Sequence, residues 1–219
     1  MNRFIKKDTG DSRLLILPMV PDHGVRYLWG YRGDEPSPTI FGRSTISKDN
    51  RAKYSSEKYK ELFTAFEQKK DFSSILEDLN VGYVIVNYDV DYKAVGAISP
   101  DTAKKLLVDN TRIEYVDRYG NLWLYRFAQK NPGLFVSDPG VAQVAYQKLS
   151  PSNYLVQVRD ASDPFTLVFK ETYHDLWNAT VDGQKLTDHY VWGGYANAWK
   201  IDKLGSYTIN IHFKVWPWN

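Results

Sequence analysis

The helical patterns of this chain stop near residue 130, and only short strand patterns follow. Two Pro-Gly pairs, Pro132-Gly133 and Pro139-Gly140, interrupt the chain there. Such pairs mark turns, because proline lacks a backbone donor and glycine adopts angles that other residues avoid. We therefore expect two contiguous domains, residues 1–135 and 141–219, that meet near residues 130–141. With 219 residues, 43% of them hydrophobic, the chain can supply a core for each.

The strands of the first domain are predicted from two kinds of pattern. Residues 13–18 and 81–86 are continuous apolar runs of strand length, which is typical of strands buried on both faces. Residues 112–116 and 122–127 alternate instead between apolar and polar side chains. These two segments flank Tyr119-Gly-Asn121 and predict a β-hairpin.

Helices are predicted between these strands, which makes the first domain a small α/β layer. Large apolar residues recur at helical spacing between Ser55 and Lys70, namely Tyr59, Leu62, Phe63 and Phe66. Asp71 is expected to cap a second helix. Ser99 followed by Pro100 marks the start of a third helix, which should run to about Val108.

Residues 21–50 are rich in proline and glycine, and they predict a long loop without a helix. Within it, Trp29, Tyr31, Arg32 and Asp34 combine flat rings with a planar donor and an acceptor. Such groups stack on a sugar ring and hydrogen-bond to it, so this is the first candidate ligand site. The alternative is that Trp29 and Tyr31 fold back over the sheet edge, the commoner role of such rings.

The second domain reads as short strands alone, at residues 142–149, 153–159, 164–170, 178–181, 198–202 and 206–215. Asp182-Gly183 is a hairpin turn signal. This spacing predicts an antiparallel β-sandwich of the jelly-roll or immunoglobulin-like kind, and the whole chain is then an α+β protein of two domains. Aromatic residues reach 15%, with 7 Trp and 16 Tyr, which favours a carbohydrate-binding-module-like or scaffolding role over catalysis.

Three residues of the second domain are assigned structural roles: Trp177 and Trp199 as anchors of the sandwich, and Asn197 as a partner of backbone groups. Trp192 precedes Gly193-Gly194, a tight bend, and is the second candidate ligand contact.

Side chains that could perform chemistry do not form a convincing set. His174 and Asp175 are adjacent and should point to opposite faces of a strand, and the histidines lack the spacing of metal ligands. Asp89 and Asp91 follow a buried strand, where α/β sheets bind ligands, but two carboxylates in a solvated loop are a weak signal. We assign no catalytic residue, no metal and no cofactor.

Composition excludes several classes of partner. The net charge is +2, from 28 basic and 26 acidic residues, so the basic surface of a nucleic-acid-binding protein is missing. Cysteine is absent, which excludes disulfides and zinc-thiolate sites. The longest apolar runs fall far short of the roughly 20 residues that span a bilayer. The N-terminus has basic residues without an apolar stretch behind them, so no secretory signal is expected.

Several segments resemble a known group of membrane proteins. These segments are Leu15-Ile-Leu-Pro18, Tyr27-Leu-Trp-Gly-Tyr-Arg-Gly33, residues 79–86, Gly120-Asn-Leu-Trp-Leu-Tyr125, Ser150-Pro-Ser-Asn-Tyr154 and Gly194-Tyr-Ala-Asn-Ala-Trp199. Together they look like the extracytoplasmic region of large polytopic prokaryotic proteins, the YfhO-like and related GT-C-type glycosyltransferases. In that group the catalytic acids lie in loops between membrane helices, so the resemblance carries no catalytic residue over to this chain. It also implies that Val215-Trp-Pro-Trp-Asn219 leads toward a membrane span.

The resemblance implies an excised accessory domain on the extracytoplasmic face of the membrane, held there by segments outside this sequence. Such a domain would position a glycan or a lipid-linked sugar without performing chemistry. Two alternatives stay open: a stand-alone carbohydrate-binding module, and a cell-envelope scaffold for protein interactions without a small ligand. A hydrolase ranks last, because no pair of carboxylates shares a convincing location.

Overall fold

The computed structural model describes residues 1, 5, 10–20, 24–48 and 55–214. Residues 215–219, most of the N-terminal segment and both ends of the segment 21–50 lie outside the described residues, so the expectations about them stay predictions. The chain divides into two compact units, residues Met1–Gly133 and Leu134–Asn219. The first combines β-strands with helices, and the second is built mainly from β-strands.

The first unit combines seven strands with four helices among its described residues. In chain order these are β1 (Arg13–Val20), β2 (Val25–Arg26), β3 (Arg32–Gly33), α1 (Ser37–Phe41), β4 (Thr45–Lys48), α2 (Ser55–Glu67), α3 (Ser73–Asp78), β5 (Val81–Asn87), α4 (Pro100–Val108), β6 (Ile113–Tyr119) and β7 (Leu122–Phe127).

Five of these strands form one mixed sheet in the order β4-β1-β5-β7-β6. Strand β1 lies between β4 and β5 and runs parallel to both, and β7 pairs antiparallel with β5 and β6. Every residue of β1 and β5 is buried, as their continuous apolar runs predicted. Gly120 joins β6 to β7 with a φ of 62°, so the predicted hairpin is present.

The segment 24–48 is not a loop throughout, and the expectation that it lacks a helix was wrong. Helix α1 begins at Ser37, whose backbone N–H donates to the Glu35 carboxylate at 3.1 Å. Proline fits the first turn of a helix because its missing N–H would have no intrahelical partner there. The prolines that suggested a loop are therefore compatible with a helix start. The same segment also contains β4.

The other helices follow their sequence signals closely. In α2, Tyr59, Leu62 and Phe66 are buried. In α4, the Ser99 hydroxyl accepts a hydrogen bond from the Thr102 N–H at 3.1 Å and Pro100 is the first helical residue. Asp71 differs slightly from expectation, since Phe72 holds the cap position of α3 and the Asp71 carboxylate accepts from the N–H of Ser73 at 3.0 Å.

The second unit is built from strands within residues 134–214. They are β8 (Phe135–Val136), β9 (Gln143–Ser150), β10 (Asn153–Ala161), β11 (Phe165–Thr172), β12 (Trp177–Val181), β13 (Gln184–Lys185), β14 (His189–Trp192), β15 (Ala196–Ile201) and β16 (Gly205–Phe213). The short strands β8, β13 and β14 were not predicted, because two to four residues are too few to show an alternating pattern.

These strands make two antiparallel sheets, in the orders β13-β12-β16-β10-β9 and β14-β15-β11-β8. Side chains from both sheets share one buried cluster, which is the arrangement of a β-sandwich. At its centre, Phe135 and Phe169 stack with ring centroids 4.4 Å apart, and Trp177 meets Phe169 edge-on at 4.8 Å.

Candidate functional site

The candidate site in the first unit is a short hairpin that presents three aromatic rings, residues 25–33, hereafter the aromatic hairpin. Its strands β2 and β3 pair antiparallel. The backbone closes at its tip, where the Tyr27 N–H donates to the Tyr31 carbonyl at 2.9 Å and the Gly30 N–H donates to the Tyr27 carbonyl at 3.0 Å. Gly30 has a φ of 102°, which glycine adopts without strain.

The rings of Tyr27, Trp29 and Tyr31 pack against one another. Trp29 stacks on Tyr27 with centroids 5.1 Å apart and planes 20° from parallel, and Tyr31 lies 5.5 Å from Trp29. Tyr27 is only 5% exposed, whereas Trp29 is 64% exposed. The indole is therefore held by two neighbouring rings and is still largely exposed to solvent. Tyr27 is the ring that is buried, and Trp29 is the exposed ring that lies on it.

Glu35 fixes the position of the Tyr27 side chain. Its hydroxyl donates to the Glu35 carboxylate, 3.0 Å from each oxygen. Burial, followed by the negative charge and hydrogen bond of Glu35, raises the pKa of Tyr27 well above its usual range. The phenol therefore stays protonated and keeps its hydrogen bond to Glu35.

The polar groups of the aromatic hairpin divide into occupied and available ones. Arg26 pairs with Asp91 at 3.2 Å, and the Tyr31 hydroxyl donates to the Asp34 carbonyl at 2.9 Å. Arg32 lies opposite Arg26 in the hairpin and is exposed. Among the described residues its side chain has no hydrogen-bond or ion-pair partner. Its guanidinium is thus available to a ligand that contacts Trp29.

The aromatic hairpin lies at the carboxyl edge of the parallel strands. Tyr27 bridges to Val90, and the Leu28 N–H donates to the Asp89 carbonyl at 2.8 Å. Val20, at the end of β1, joins Val25, Tyr27 and Val90 in one buried cluster. This edge is where open α/β sheets commonly bind ligands.

The two carboxylates at this edge are both engaged within the protein. Asp89 accepts from the Asn121 amide at 2.7 Å. Asp91 accepts from the Ala94 N–H at 3.2 Å in addition to its pair with Arg26. Each carboxylate therefore stabilises the loop after β5. The described residues contain no group of three or more His, Cys, Asp or Glu side chains that could hold a metal ion.

Trp192, the second candidate contact, lies in the other unit at the turn between β14 and β15. It is half-buried, and its carbonyl accepts from the Tyr195 N–H at 3.1 Å. Gly193 and Gly194 form the turn with φ of 56° and 76°, so they make a tight bend as expected.

Asn197 lies in the interior of the second unit and uses its whole amide group. The side chain is 0% exposed. Its Nδ2 donates to the carbonyls of Glu171 and Thr172 at 2.9 and 3.2 Å, where the pairing of β11 with β15 is irregular. Its Oδ1 accepts from the His174 N–H at 3.2 Å and lies 3.1 Å from His189 Nε2. Because Oδ1 can only accept, Nε2 of His189 carries the hydrogen.

The tryptophans assigned to the sandwich are both buried. Trp199 is 0% exposed and stacks on His189 at 4.6 Å with planes 7° apart. Trp177 is 8% exposed. The neighbouring Asn178 begins Asn178-Ala-Thr180, a sequence that matches the N-glycosylation pattern. Its side chain is buried and donates to the Leu176 carbonyl at 2.9 Å, so it is poorly accessible for glycosylation in the folded protein.

The expectation that His174 and Asp175 point to opposite faces of a strand was wrong. Both residues follow the end of β11 and precede β12. Because they are outside a strand, their side chains need not alternate, and His174 Nδ1 lies 2.9 Å from Asp175 Oδ1. Both are exposed, so the contact is a surface pair of little energetic consequence.

Sequence reasoning missed Tyr27 and Glu35 as parts of the site. The i, i+2, i+4 spacing of Tyr27, Trp29 and Tyr31 gives no strand signal that their rings meet, because residues 28–30 form a turn. No local signal connects Tyr27 with Glu35, because their contact depends on how the chain turns after β3.

No helix in the described part of the chain is long and apolar enough to cross a membrane.

Comparison with models of protein families found no match, and comparison with curated protein sequences found none either. Among solved structures, the chain is similar to cryo-EM structures of the arabinofuranosyltransferase AftD from mycobacteria. A mutant form aligns with 97% of this chain at 8% identity and a TM-score of 0.48. Another AftD structure aligns with 98% at 9% identity and a TM-score of 0.45. This chain spans 30% and 29% of the two aligned chains. Because the sequence identities and TM-scores are this low, the similarity does not indicate a function for this chain.

Proposed function

We propose that this chain is a non-catalytic glycan-binding region and that the aromatic hairpin holds the sugar. The observation that carries the proposal is the state of Trp29, which is 64% exposed although its ring is fixed on Tyr27. An exposed ring in a fixed orientation binds at a low entropic cost, because little freedom is left to lose. The apolar C–H face of a sugar packs on the indole, and Arg32 donates to the sugar hydroxyls.

The engaged carboxylates support a role in binding rather than in catalysis. A general base must lie within hydrogen-bond reach of the proton that it removes. Asp89 and Asp91, which follow β5 beside the aromatic hairpin, already hold Asn121, Arg26 and a backbone N–H, and Glu35 already holds Tyr27. Chemistry on the bound sugar then falls to residues outside this chain.

The parent molecule, in this proposal, is a membrane glycosyltransferase of the GT-C type, and the chain lies on its extracytoplasmic face. The segments quoted in the sequence analysis support this assignment. The ligand is a glycan or a lipid-linked sugar, and membrane attachment comes from segments outside this sequence. Flanking stretches of about 20 apolar residues in the open reading frame are the observation that tests it.

The second unit is proposed to be a carbohydrate-binding-module-like sandwich of the jelly-roll or immunoglobulin-like kind, with Trp192 as its contact. Its half-buried indole beside a rigid glycine turn supports this assignment. Trp177, Asn197 and Trp199 are proposed to be structural, since all three are buried within the sandwich.

A protein-interaction scaffold is the second candidate function. Leu28, next to Trp29 at the tip of the aromatic hairpin, is 69% exposed. Binding of a sugar does not require an exposed leucine, whereas a protein partner would bury Leu28 together with Trp29.

The test is titration of the full chain with a panel of neutral oligosaccharides, followed by calorimetry, for wild type and for Trp29→Ala. We expect weak binding to at least one member and a loss of about tenfold in affinity in the variant, because a stacked aromatic contact contributes about 1.5 kcal/mol. The melting temperature of Trp29→Ala should stay close to that of wild type, since exposed residues contribute little to stability.

Two further tryptophan variants serve as controls. Trp192→Ala should leave the affinity unchanged if the aromatic hairpin is the site, and a loss there would move the site to the second unit. Trp199→Ala should lower the free energy of unfolding by about 3–5 kcal/mol. A Trp199→Ala protein that melts like wild type but no longer binds a glycan would reverse our assignment of that residue. If no saccharide binds and a protein partner protects Trp29, the scaffold function is correct.

A further inference from the structure

The first unit contains an open groove of about 1010 Å³, which lies away from the aromatic hairpin. Its walls come from the turn between α2 and α3, from α3, from α4 with the residues that follow it, and from the segment after β7. Because β7 runs antiparallel to β5, its end lies at the amino edge of the parallel strands. The groove and the aromatic hairpin therefore occupy opposite edges of the first sheet.

Four lysines line this groove, and we call it the lysine groove. They are Lys69, Lys70, Lys105 and Lys130. All four are exposed, and among the described residues none of their ammonium groups has a hydrogen-bond or ion-pair partner. Like charges around one cavity repel one another, so the free protein gains nothing from this arrangement.

The carboxylates in the same walls are mostly occupied and do not neutralise these lysines. Glu77 pairs with Arg112 and accepts from the backbone N–H groups of Lys130 and Asn131 at 2.9 and 2.8 Å. Asp78 pairs with Lys58 at 2.9 Å.

Asp71 and Asp109 are the other two acidic residues of the walls. The hydroxyl of Ser73 donates to Asp71 at 2.7 Å, and its hydrogen bonds lower the pKa of Asp71. Both side chains are exposed, so two acidic residues stand against the four lysines. The groove therefore keeps a positive surplus that faces solvent.

The distribution of these charges favours an extended ligand over a compact one. A phosphate group is best held by converging donors, above all the forked guanidinium of arginine. The arginine of this groove, Arg112, is already bound to Glu77 and to the Ala128 carbonyl at 2.7 Å. The lysines instead come from three separate chain segments and act as spaced point charges. Exposed hydroxyls of Ser74 and Thr111 lie in the same walls.

We infer that the lysine groove binds an acidic saccharide, a chain of sugars that carries carboxylates at intervals. Its carboxylates pair with the lysines, and its hydroxyls bond to the serine and threonine side chains. This inference rests on the proposed function, because it takes the ligand to be a glycan. It adds a second site and the charge class of the sugar.

The test is calorimetric titration of the full chain with an oligogalacturonate and with its methyl ester, which has the same sugars without the charge. We expect the charged form to bind and the ester to bind at least about tenfold more weakly. Binding should weaken as salt is raised, because the Debye length is only about 8 Å at 0.15 M ionic strength. Equal binding of the two forms would overturn the inference.

Two double variants with the same net charge locate the site. Lys70→Gln/Lys105→Gln removes two groove lysines, and Lys60→Gln/Lys93→Gln removes two exposed lysines outside the groove. Each lost contact should weaken binding about threefold, so the groove variant should lose about tenfold and the control almost nothing. Equal losses in the two variants would show a diffuse charge effect and contradict a site. Circular dichroism confirms that both variants fold.

Two additional arms separate the possible failures. In one outcome, inorganic tripolyphosphate binds through the same lysines and oligogalacturonate does not bind. This result would show that the groove is a phosphate site and would overturn the inference of an acidic saccharide. A second outcome is that neutral glycans bind through Trp29 and that the affinity for oligogalacturonate does not change when the groove lysines are replaced. This result would support the proposed function and refute the inference. Lysine-dependent oligogalacturonate binding, without any role of Trp29, would support the lysine groove and refute the proposed site.

Discussion

At the scale of single residues, His189, which stacks on the buried Trp199, makes the stability of the second unit depend on pH. Burial, only partly offset by the hydrogen bond to Asn197, lowers the pKa of His189 below 6.5, with Lys185 and Asp175 as the charged groups that act on it. A lowered pKa means that the unfolded chain binds the proton more readily, so the stabilisation is present above pH 6.5 and is lost as the pH falls through the folded-state pKa. We expect the free energy of unfolding, measured in urea, to decrease as the pH is lowered below 6.5. His189→Gln keeps a donor toward Asn197 without titrating and should flatten that decrease. Parallel losses in wild type and variant would contradict this role.

At the scale of elements, the turn between β14 and β15 depends on two left-handed residues in a row. Gly193 and Gly194 both have positive φ, and a side chain at Gly193 would meet no atom within 4 Å. The cost of substitution therefore comes from the backbone alone. Gly193→Ala should lower the free energy of unfolding by about 1–2 kcal/mol. Gly193→Asn also adds a side chain but tolerates the left-handed region, so it should cost clearly less. Equal costs in urea denaturation would show that the turn does not require this conformation.

At the scale of the whole molecule, each unit has a core of its own. The buried cluster of the sandwich draws only on residues from Leu134 onward, and the clusters of the first unit lie before Gly133. We expect residues 134–219, expressed alone, to fold and to melt in one cooperative transition, as small single domains do. Calorimetry and a dispersed NMR spectrum would establish this. A fragment that binds hydrophobic dyes and melts without cooperativity would show that the sandwich needs residues 1–133.

Features set by near neighbours in the chain were determined by the sequence. The buried strands β1 and β5 follow from unbroken apolar runs, because a strand covered on both faces needs no alternation. The start of α4 follows from Ser99 and Pro100, whose capping contact spans three residues. The turn at Asp182-Gly183 has positive φ at both residues, as that pair predicts. Each of these signals is complete within a few positions.

Features that join distant segments were decided by the tertiary structure. Strand β8 exists because Phe135 pairs with Phe169, and two residues alone carry no periodic signal. The burial of Tyr27, which exposes Trp29 on top of it, depends on Glu35 and on the loop after β5. The lysine groove assembles side chains from three segments up to 61 positions apart, the difference between 130 and 69. Sequence patterns record local geometry, whereas exposure and proximity depend on which segments the fold brings together, and both candidate sites depend on exposure and proximity.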